Sequence, residues 1–367
     1  MQGFPGSTPT SMKSIASKQK AVVGLSGGVD STAAVLLLKE QGFEVTGVYL
    51  DVFGHGPDEK NTASEIARRL DIEFLTADVS EAFEKTVISG FCDSYMKGAT
   101  PNPCVICNPE IKFKSLLEAA DKLGAYHIAT GHYAGVCREE SDGRYYIRRL
   151  ANNKKDQSYM LYRLNQRILE RLILPLAGFE TKMDVRAYVA SKGIENADSK
   201  DSQEICFIPY GVHYSQYLEF RGLRSEKGPF TDTAGRIIGT HEGLYKYTVG
   251  QRKNLGMTFG KPMYVVKVDY ENNRVVLGGS DELMAGSALS ACNIFTGFDG
   301  DEMPEEYVGA EVLAKVRCAA ALSEAVISRG EGKTIKTVFK KPERAVAPGQ
   351  SIVFYIRDKV AGGGIII

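Results

Sequence analysis

Short apolar runs alternate with longer stretches of helical period through the first two hundred positions. Positions 21–25 are apolar and lead into Ser26-Gly27-Gly28, after which apolar residues recur at helical spacing from Ser31 to Gln41, with Gly42 as the closing cap. The same reading predicts strands at 44–50, 72–77 and 126–130. It predicts helices at 62–70, 80–97 and 110–123, the last closed by Gly124. Strands alternating with helices of this length predict an α/β fold, a parallel sheet with helices on both faces. Near residue 207 the pattern changes. Positions 207–285 are Gly-rich and mixed, with a hairpin predicted from 264–268 and 274–277 around Glu271-Asn272-Asn273. From 286 onward the pattern is nearly all strand-like, at 311–317, 325–328, 334–339 and 351–356, with turns at Gly330–Gly332 and Pro348-Gly349. Short strands with regular turns predict a small barrel or sandwich. The expected organisation is a disordered tail (1–19), an α/β domain (20–206), a small central domain (207–285) and a C-terminal β-barrel-like domain (286–367).

Composition narrows the function classes. The 367 residues hold 43% apolar and 25% charged side chains, ordinary for a globular protein, and no apolar run approaches the roughly 18 residues of a membrane span. Forty-five basic side chains balance forty-five acidic ones, so a nucleic-acid partner has to be sought in local clustering. The first twenty residues carry three Lys and no acid but no apolar core, which argues against a secretory signal. Seven Cys, an odd number, then point to a reducing compartment and a cytoplasmic location. Thiols there serve as packing, metal ligands or catalysts.

The segment Gly24, Leu25, Ser26, Gly27, Gly28, Val29, Asp30, Ser31 joins the first predicted strand to the first helix. Glycines let backbone N–H groups approach an anion, and the helix start adds partial positive charge. Ser26 and Ser31 supply hydroxyl donors, and Asp30 either holds Mg²⁺ or orders the loop. A purely structural turn needs one Gly, not this row of hydroxyls and a carboxylate. Neither a Walker A ending nor a Rossmann glycine pattern is present. The motif resembles the pyrophosphate loop of ATP pyrophosphatases, which adenylate their substrates. A second stretch, Ser328 to Thr334, ends like a Walker A loop, but it lies between two predicted strands and reads as a hairpin turn.

Cys104 and Cys107 sit in Thr100-Pro101-Asn102-Pro103-Cys104-Val105-Ile106-Cys107-Asn108, just before a predicted helix. A helix start lowers a thiol's pKa and favours the thiolate. Redox pair, half a zinc site and sulfur-transfer nucleophile all remain open for this pair; no second CxxC completes a zinc site. Cys206 stands between apolar residues and reads on spacing as a core thiol. From 144 to 171 the basic residues Arg144, Arg148, Arg149, Lys154, Lys155, Arg163, Arg167 and Arg171 outnumber Asp156 and Glu170, with Tyr145, Tyr146, Tyr159 and Tyr162 among them. Cations for phosphates with rings for an unstacked base suit an RNA loop; a solvated face is the plainer reading.

Taken together, these motifs resemble the bacterial tRNA-specific 2-thiouridylases across almost everything after residue 20. The marks are SGGVDS at 26–31, TPNPCVICN at 100–108, ATGHY at 129–133, KDQSYML at 155–161, DSQEICFI at 201–208, YTVGQRKNLG at 247–256 and AGGGI near the C-terminus. The resemblance implies that Gly24–Ser31, Leu50 and Gly131 bind ATP, that Cys107 is the nucleophile and that Cys206 carries a persulfide. It implies that Asn102, Pro103 and Cys104, Lys155, Asp156 and Gln157, and Arg317 with Cys318 touch the target base or the tRNA. It also implies ATP and Mg²⁺ as cofactors, and as partners tRNA and a sulfur-donor protein, a cysteine desulfurase or relay protein. Wobble uridines of Lys, Glu and Gln tRNAs are the implied targets. One position departs from the family: Cys104 stands where many members carry Asp, so Cys104, Cys107 and Cys206 are candidate ligands of a 4Fe–4S cluster with one open iron. The rival readings are another adenylating tRNA enzyme, such as a 4-thiouridine synthase or lysidine synthetase, and a non-catalytic RNA-binding protein that kept the ATP fold.

Overall fold

The protein's structure is a computed structural model that describes residues 19–54, 57–150, 154–194, 205–300 and 302–367. The tail expected at 1–19 lies, apart from Gln19, outside the described residues.

Five parallel strands build the first sheet: β1 (Lys20–Gly24), β2 (Glu44–Asp51), β3 (Glu73–Asp78), β4 (His127–Ala129) and β7 (Leu172–Ile173), in the order β3-β2-β1-β4-β7. Strand β1 is buried on both faces, as a central parallel strand must be. Val22 joins one core with Val48, Phe113, Leu116 and Ile128. Its neighbours Ala21 and Val23 join the opposite core with Val29, Ala33, Val35, Ile66 and Val185. The chain leaves β1 for β2 on one side and reaches β4 on the other, so a crevice opens at the carboxyl ends of β1 and β4.

Helix α1 (Val29–Glu40) follows β1, and α2 (Pro57–Arg69) follows β2. Helix α3 runs through Ser80–Phe83, Glu84–Ile88 and Ser89–Met96. Helix α4 runs through Pro103–Cys107, Asn108–Phe113 and Lys114–Leu123 and ends on Gly124 at φ 62°. The sequence places the start of α4 at 110; the structure starts it at Pro103. Pro103 occupies the first turn, where its missing N–H costs nothing, and Asn102 caps the end. Pro109 is absorbed because Asn108–Phe113 is wound as a π-helical turn.

The central sheet has the order β10-β11-β8-β9, from β8 (Gly228–Thr231), β9 (Ile237–His241), β10 (Tyr264–Asp269) and β11 (Arg274–Gly278). Its expected hairpin is present, with Asn273 at φ 44° and Asp269 accepting from Asn272 and Arg274. The last domain is a closed barrel of β12 (Met284–Phe295), β13 (Glu311–Lys315), β14 (Ser323–Arg329), β15 (Ile335–Arg344), β16 (Ser351–Ile356) and β17 (Lys359–Ile366), closed by β12 against β17. The stretch 328–334 ends β14 at Arg329 and turns through 330–334 into β15, the hairpin its sequence indicates. Strand β17 escapes propensity reasoning because of Gly362, Gly363 and Gly364. A Cβ on them would lie 2.3 Å from Ile294 O, 2.5 Å from Ile352 O and 2.0 Å from Asn293 Oδ1, so only glycine lets the barrel close.

A hairpin of the first domain, β5 (Gly135–Arg138) and β6 (Tyr145–Arg148), extends the barrel sheet beside β17. Below it Tyr159 donates to Ser351 O at 2.8 Å, and Ser158 Oγ meets Tyr355 Oη at 3.1 Å. Val353, Tyr355 and Val360 of the barrel share one core with Phe113 and Leu116 of α4. Gly364→Ala is expected to cost about 1–3 kcal/mol through overpacking against Asn293, read as a lower thermal midpoint. An unchanged midpoint would refute the close-approach account of these glycines.

Candidate active site

The loop after β1 is built as an anion cradle. Gly27 adopts φ 80° and lies so close to α2 that a Cβ would sit 3.0 Å from Ala63 N. Helix α1 starts at Gly28 with no side-chain cap, which leaves its first N–H groups to an incoming anion. Ser31 Oγ donates to Gly28 O at 2.9 Å and accepts from Ser26 N at 3.3 Å, which fixes the loop's curl. Leu50 ends β2 beside it, half-buried on the core that faces α4. Across the crevice Gly131 follows β4, and a Cβ there would lie 2.6 Å from the Asp30 carbonyl carbon. The candidate ATP residues Gly24–Ser31 and Gly131 therefore lie together at one rim, with Leu50 at the adjoining strand end.

Asp30 is held by two side chains from outside the loop. Tyr133 Oη donates to its Oδ1 at 2.7 Å, and Lys182 Nζ to its Oδ2 at 2.7 Å. Each oxygen thus has a protein donor, and the adjacent ammonium offsets the carboxylate's charge. These two contacts tie the loop to Tyr133, just after β4, and to Lys182.

Helix α4 returns antiparallel to β1, which brings its Cys-bearing start to the same rim. Asn102 Oδ1 accepts from Cys104 N at 3.2 Å and its Nδ2 reaches Met160 Sδ at 3.3 Å. Pro103 is buried. Of the three candidate base-contacting residues at this segment, only Cys104 presents an exposed side chain. Cys206 corrects the expectation of a core thiol. It is exposed, while Phe207 and Ile208 beside it are buried. Phe207 packs edge-on against Phe83 at 5.9 Å and Phe91 at 5.1 Å of α3, in the cluster that Cys107 also touches. This anchor holds Cys206 in the field of Cys104 and Cys107. Cys318, after β13 of the barrel, lies in turn in the field of Cys104.

Burial works against the helix-start argument for acidic thiols. Cys104 and Cys206 are open to solvent yet ringed by protein, like groups on the floor of a cleft. Desolvation raises the pKa of Cys104 and Cys107 and pushes Cys206 up to about 11. The Lys112 ammonium opposes this at all three without overcoming it. His132, next to Gly131, lies within ATGHY but has no role in the sequence reading. Its ring stacks on Phe113 at 5.8 Å and shares a 2.7 Å bond with Thr130 Oγ1. Burial, with Lys112 nearby, holds it neutral. Among the described residues, no group of three or more His, Cys, Asp or Glu side chains is arranged to hold a metal ion. Cys104 and Cys107 stand three residues apart on α4, and Cys206, anchored through Phe207 on α3, lies in the field of both.

The basic run also needs correction. Tyr146, Tyr159 and Tyr162 are buried and cannot stack on a base, and Arg171 is buried on Asp121, Ala125 and Tyr126. Arg144 lies over Phe298, Arg163 reaches Cys292 O and Arg167 pairs with Asp121. Arg148, Lys154 and Lys155 remain exposed, and Arg149 is half-buried. Asp156 accepts from Leu150 N and Ser158 Oγ, and Gln157 from Tyr133 N. Arg317 donates to Arg344 O, beside the half-buried Cys318. Among the described residues, no helix is long and apolar enough to cross a membrane.

A parallel sheet with an uncapped anion loop and thiols on one rim defines a nucleotide-dependent enzyme of the pyrophosphate-loop class with sulfur chemistry beside it. Residues 19–210 match the family model described as the tRNA methyl transferase HUP domain. Residues 216–279 match its PRC-barrel domain, and 302–366 the aminomethyltransferase beta-barrel domain. A tRNA-specific 2-thiouridylase of Caldanaerobacter subterraneus is 42% identical over 95% of this chain and 97% of its own. One from Acetivibrio thermocellus is 41% identical over 95% and 99%. The chain belongs to the tRNA-specific 2-thiouridylase family.

Because the Cys206 pKa is raised, its neutral thiol predominates below about pH 11. Alkylation of Cys206 in the resting protein is expected to be slower at pH 7 than that of free cysteine, and to climb steadily toward pH 11. Peptide-mapped iodoacetamide labelling reads this; a plateau reached near pH 8 would refute it.

Proposed function

We propose that the protein replaces the C2 oxygen of the wobble uridine of tRNA (Lys, Glu and Gln types) by sulfur, with ATP as the activating reagent. The observation that supports this reading is the shared edge: the start of α4, with Cys104 and Cys107, lies at the carboxyl end of the sheet that carries the anion loop and Gly131, and Cys206 lies in the field of both thiols. Oxide is too basic to leave C2, so the carbonyl oxygen first attacks the α-phosphorus of ATP and expels pyrophosphate. The terminal sulfur of a persulfide on Cys206 then attacks C2, and AMP departs with the former oxygen. Cys107, as thiolate, attacks the Cys206 sulfur and frees the thiolated base with its electron pair. A Cys107–Cys206 disulfide remains, which a thiol reductant resets. A sulfur-donor protein, a cysteine desulfurase or relay protein, supplies the persulfide. Lys112 favours the Cys107 thiolate, and neutral His132 offers a hydrogen bond without a competing charge. Mg²⁺ in this reading arrives on the nucleotide rather than on a protein carboxylate.

Cys107→Ala and Cys206→Ala are each expected to abolish thiolation, while Cys104→Ala retains most of it, measured on unmodified tRNA with protein prepared without oxygen. Loss of activity and of bound iron together in all three variants would replace the persulfide route by a cluster. Asp30→Ala should lower thiolation by about 10²-fold or more, because the loop it orders positions the phosphates. Normal activity of a folded Asp30→Ala protein would remove the loop from the reaction.

Arg148, Lys154 and Lys155 are exposed cations of the basic run and the candidates for the tRNA backbone, whereas Arg167, also exposed, pairs with Asp121. Replacing all three by Ala should weaken tRNA binding and flatten its dependence on salt, by about one unit of slope for each phosphate no longer neutralised. An unchanged slope would leave them as a solvated face.

A further inference from the structure

Lys182 lies far from every motif, yet it ends at the nucleotide loop. It opens the helix α5 (Lys182–Ser191), whose start is fixed by Thr181 and Asp184 in a reciprocal capping box. Val185 and Val189 of α5 are buried in the core that also holds Ala33, Ala34 and Val35 of α1. The packed helix therefore delivers its first side chain to the start of α1, where Lys182 Nζ meets Asp30 Oδ2 at 2.7 Å. The Lys182 side chain is only 16% exposed and that of Asp30 29%.

This pair solves an electrostatic conflict within the loop. A carboxylate at the second residue of α1 is itself an anion at an anion site, and alone it would repel a polyphosphate. Tyr133 turns one oxygen aside and Lys182 neutralises the charge. An ammonium carries three N–H donors, so a contact to Asp30 and one to a phosphate oxygen are compatible. The reaction places new charge on the leaving pyrophosphate when the bond from the α-phosphorus to the bridging oxygen breaks. A cation held at the helix start by a fixed carboxylate is preorganised for that charge.

We propose that Lys182 is a further residue of the nucleotide site, holding the pyrophosphate half of ATP and not its nucleoside monophosphate half. The inference rests on the ATP reading above. It is tested with the full chain, by titrating inorganic pyrophosphate and AMP separately into wild type, Lys182→Met and Lys182→Arg. Lys182→Met should bind pyrophosphate about tenfold or more weakly, the scale of one charge-assisted hydrogen bond, with AMP affinity unchanged. Lys182→Arg should restore most of the pyrophosphate affinity. Equal losses for both ligands would assign Lys182 a merely structural role and overturn the proposal, as would unchanged pyrophosphate binding. If Lys182→Met does not fold, Lys182→Gln takes its place, with the same outcomes deciding. A wild-type protein that binds neither ligand would overturn the nucleotide reading, and this inference with it.

Discussion

Each crossover of a parallel sheet returns its helix antiparallel to the strands, so helix starts collect at the carboxyl edge. Here that constraint brings the uncapped start of α1 and the Cys-bearing start of α4 to one rim, on either side of the crevice beside β1. In the proposed reaction adenylation and sulfur attack act on the same C2 carbonyl, so their groups have to meet at one place. The sheet does this before any side chain contributes. The side chains then set the finer geometry, through Gly131 against Asp30 and Phe207 against Phe83 and Phe91.

The barrel is part of the same construction. Pro348 O accepts from Thr100 N at 2.7 Å, and Gln350 donates to Thr100 O at 2.9 Å, so the approach to Cys104 is held from the C-terminal domain. Tyr159 and Tyr162 are spent on that junction, which is why the aromatic residues of the basic run face inward. A run of tyrosines among arginines looks alike in sequence whether it faces RNA or a second domain. Only burial distinguishes the two cases, and burial depends on a barrel that begins more than a hundred residues later.

Legibility followed locality. The strand–loop–helix of the nucleotide site was readable because its glycines, hydroxyls and carboxylate are consecutive, and the alternation of strands and helices gave the parallel sheet. The glycines of β17 looked like breakers because their reason, the approach of Ile294 and Asn293, lies on another strand. Lys182 was invisible for a related cause: its partner Asp30 is 152 positions away and nothing around Lys182 marks it. Cys206 was misjudged because apolar neighbours imply burial on average, whereas here Phe207 and Ile208 take the buried positions and leave the thiol outside. The start of α4 was misplaced because a π-helical turn that accommodates Pro109 leaves no signal in apolar spacing.

The raised thiols have a chemical consequence that the helix-start argument would have reversed. A resting enzyme with acidic thiolates at an open cleft would react with any electrophile or disulfide that entered. Desolvation keeps these thiols protonated while Lys112 stays in reach of all three. A persulfide is a stronger acid than a thiol, so loading sulfur on Cys206 moves that group toward the anionic form without any rearrangement of the protein. Bound tRNA would cover the cleft and lower its dielectric, which strengthens the Lys112 attraction and the desolvation penalty together, so the charge has to come from the more acidic persulfide. In the proposed reaction, nucleophilicity at this rim thereby depends on the sulfur having been delivered, the condition under which attack on an adenylated carbonyl is productive.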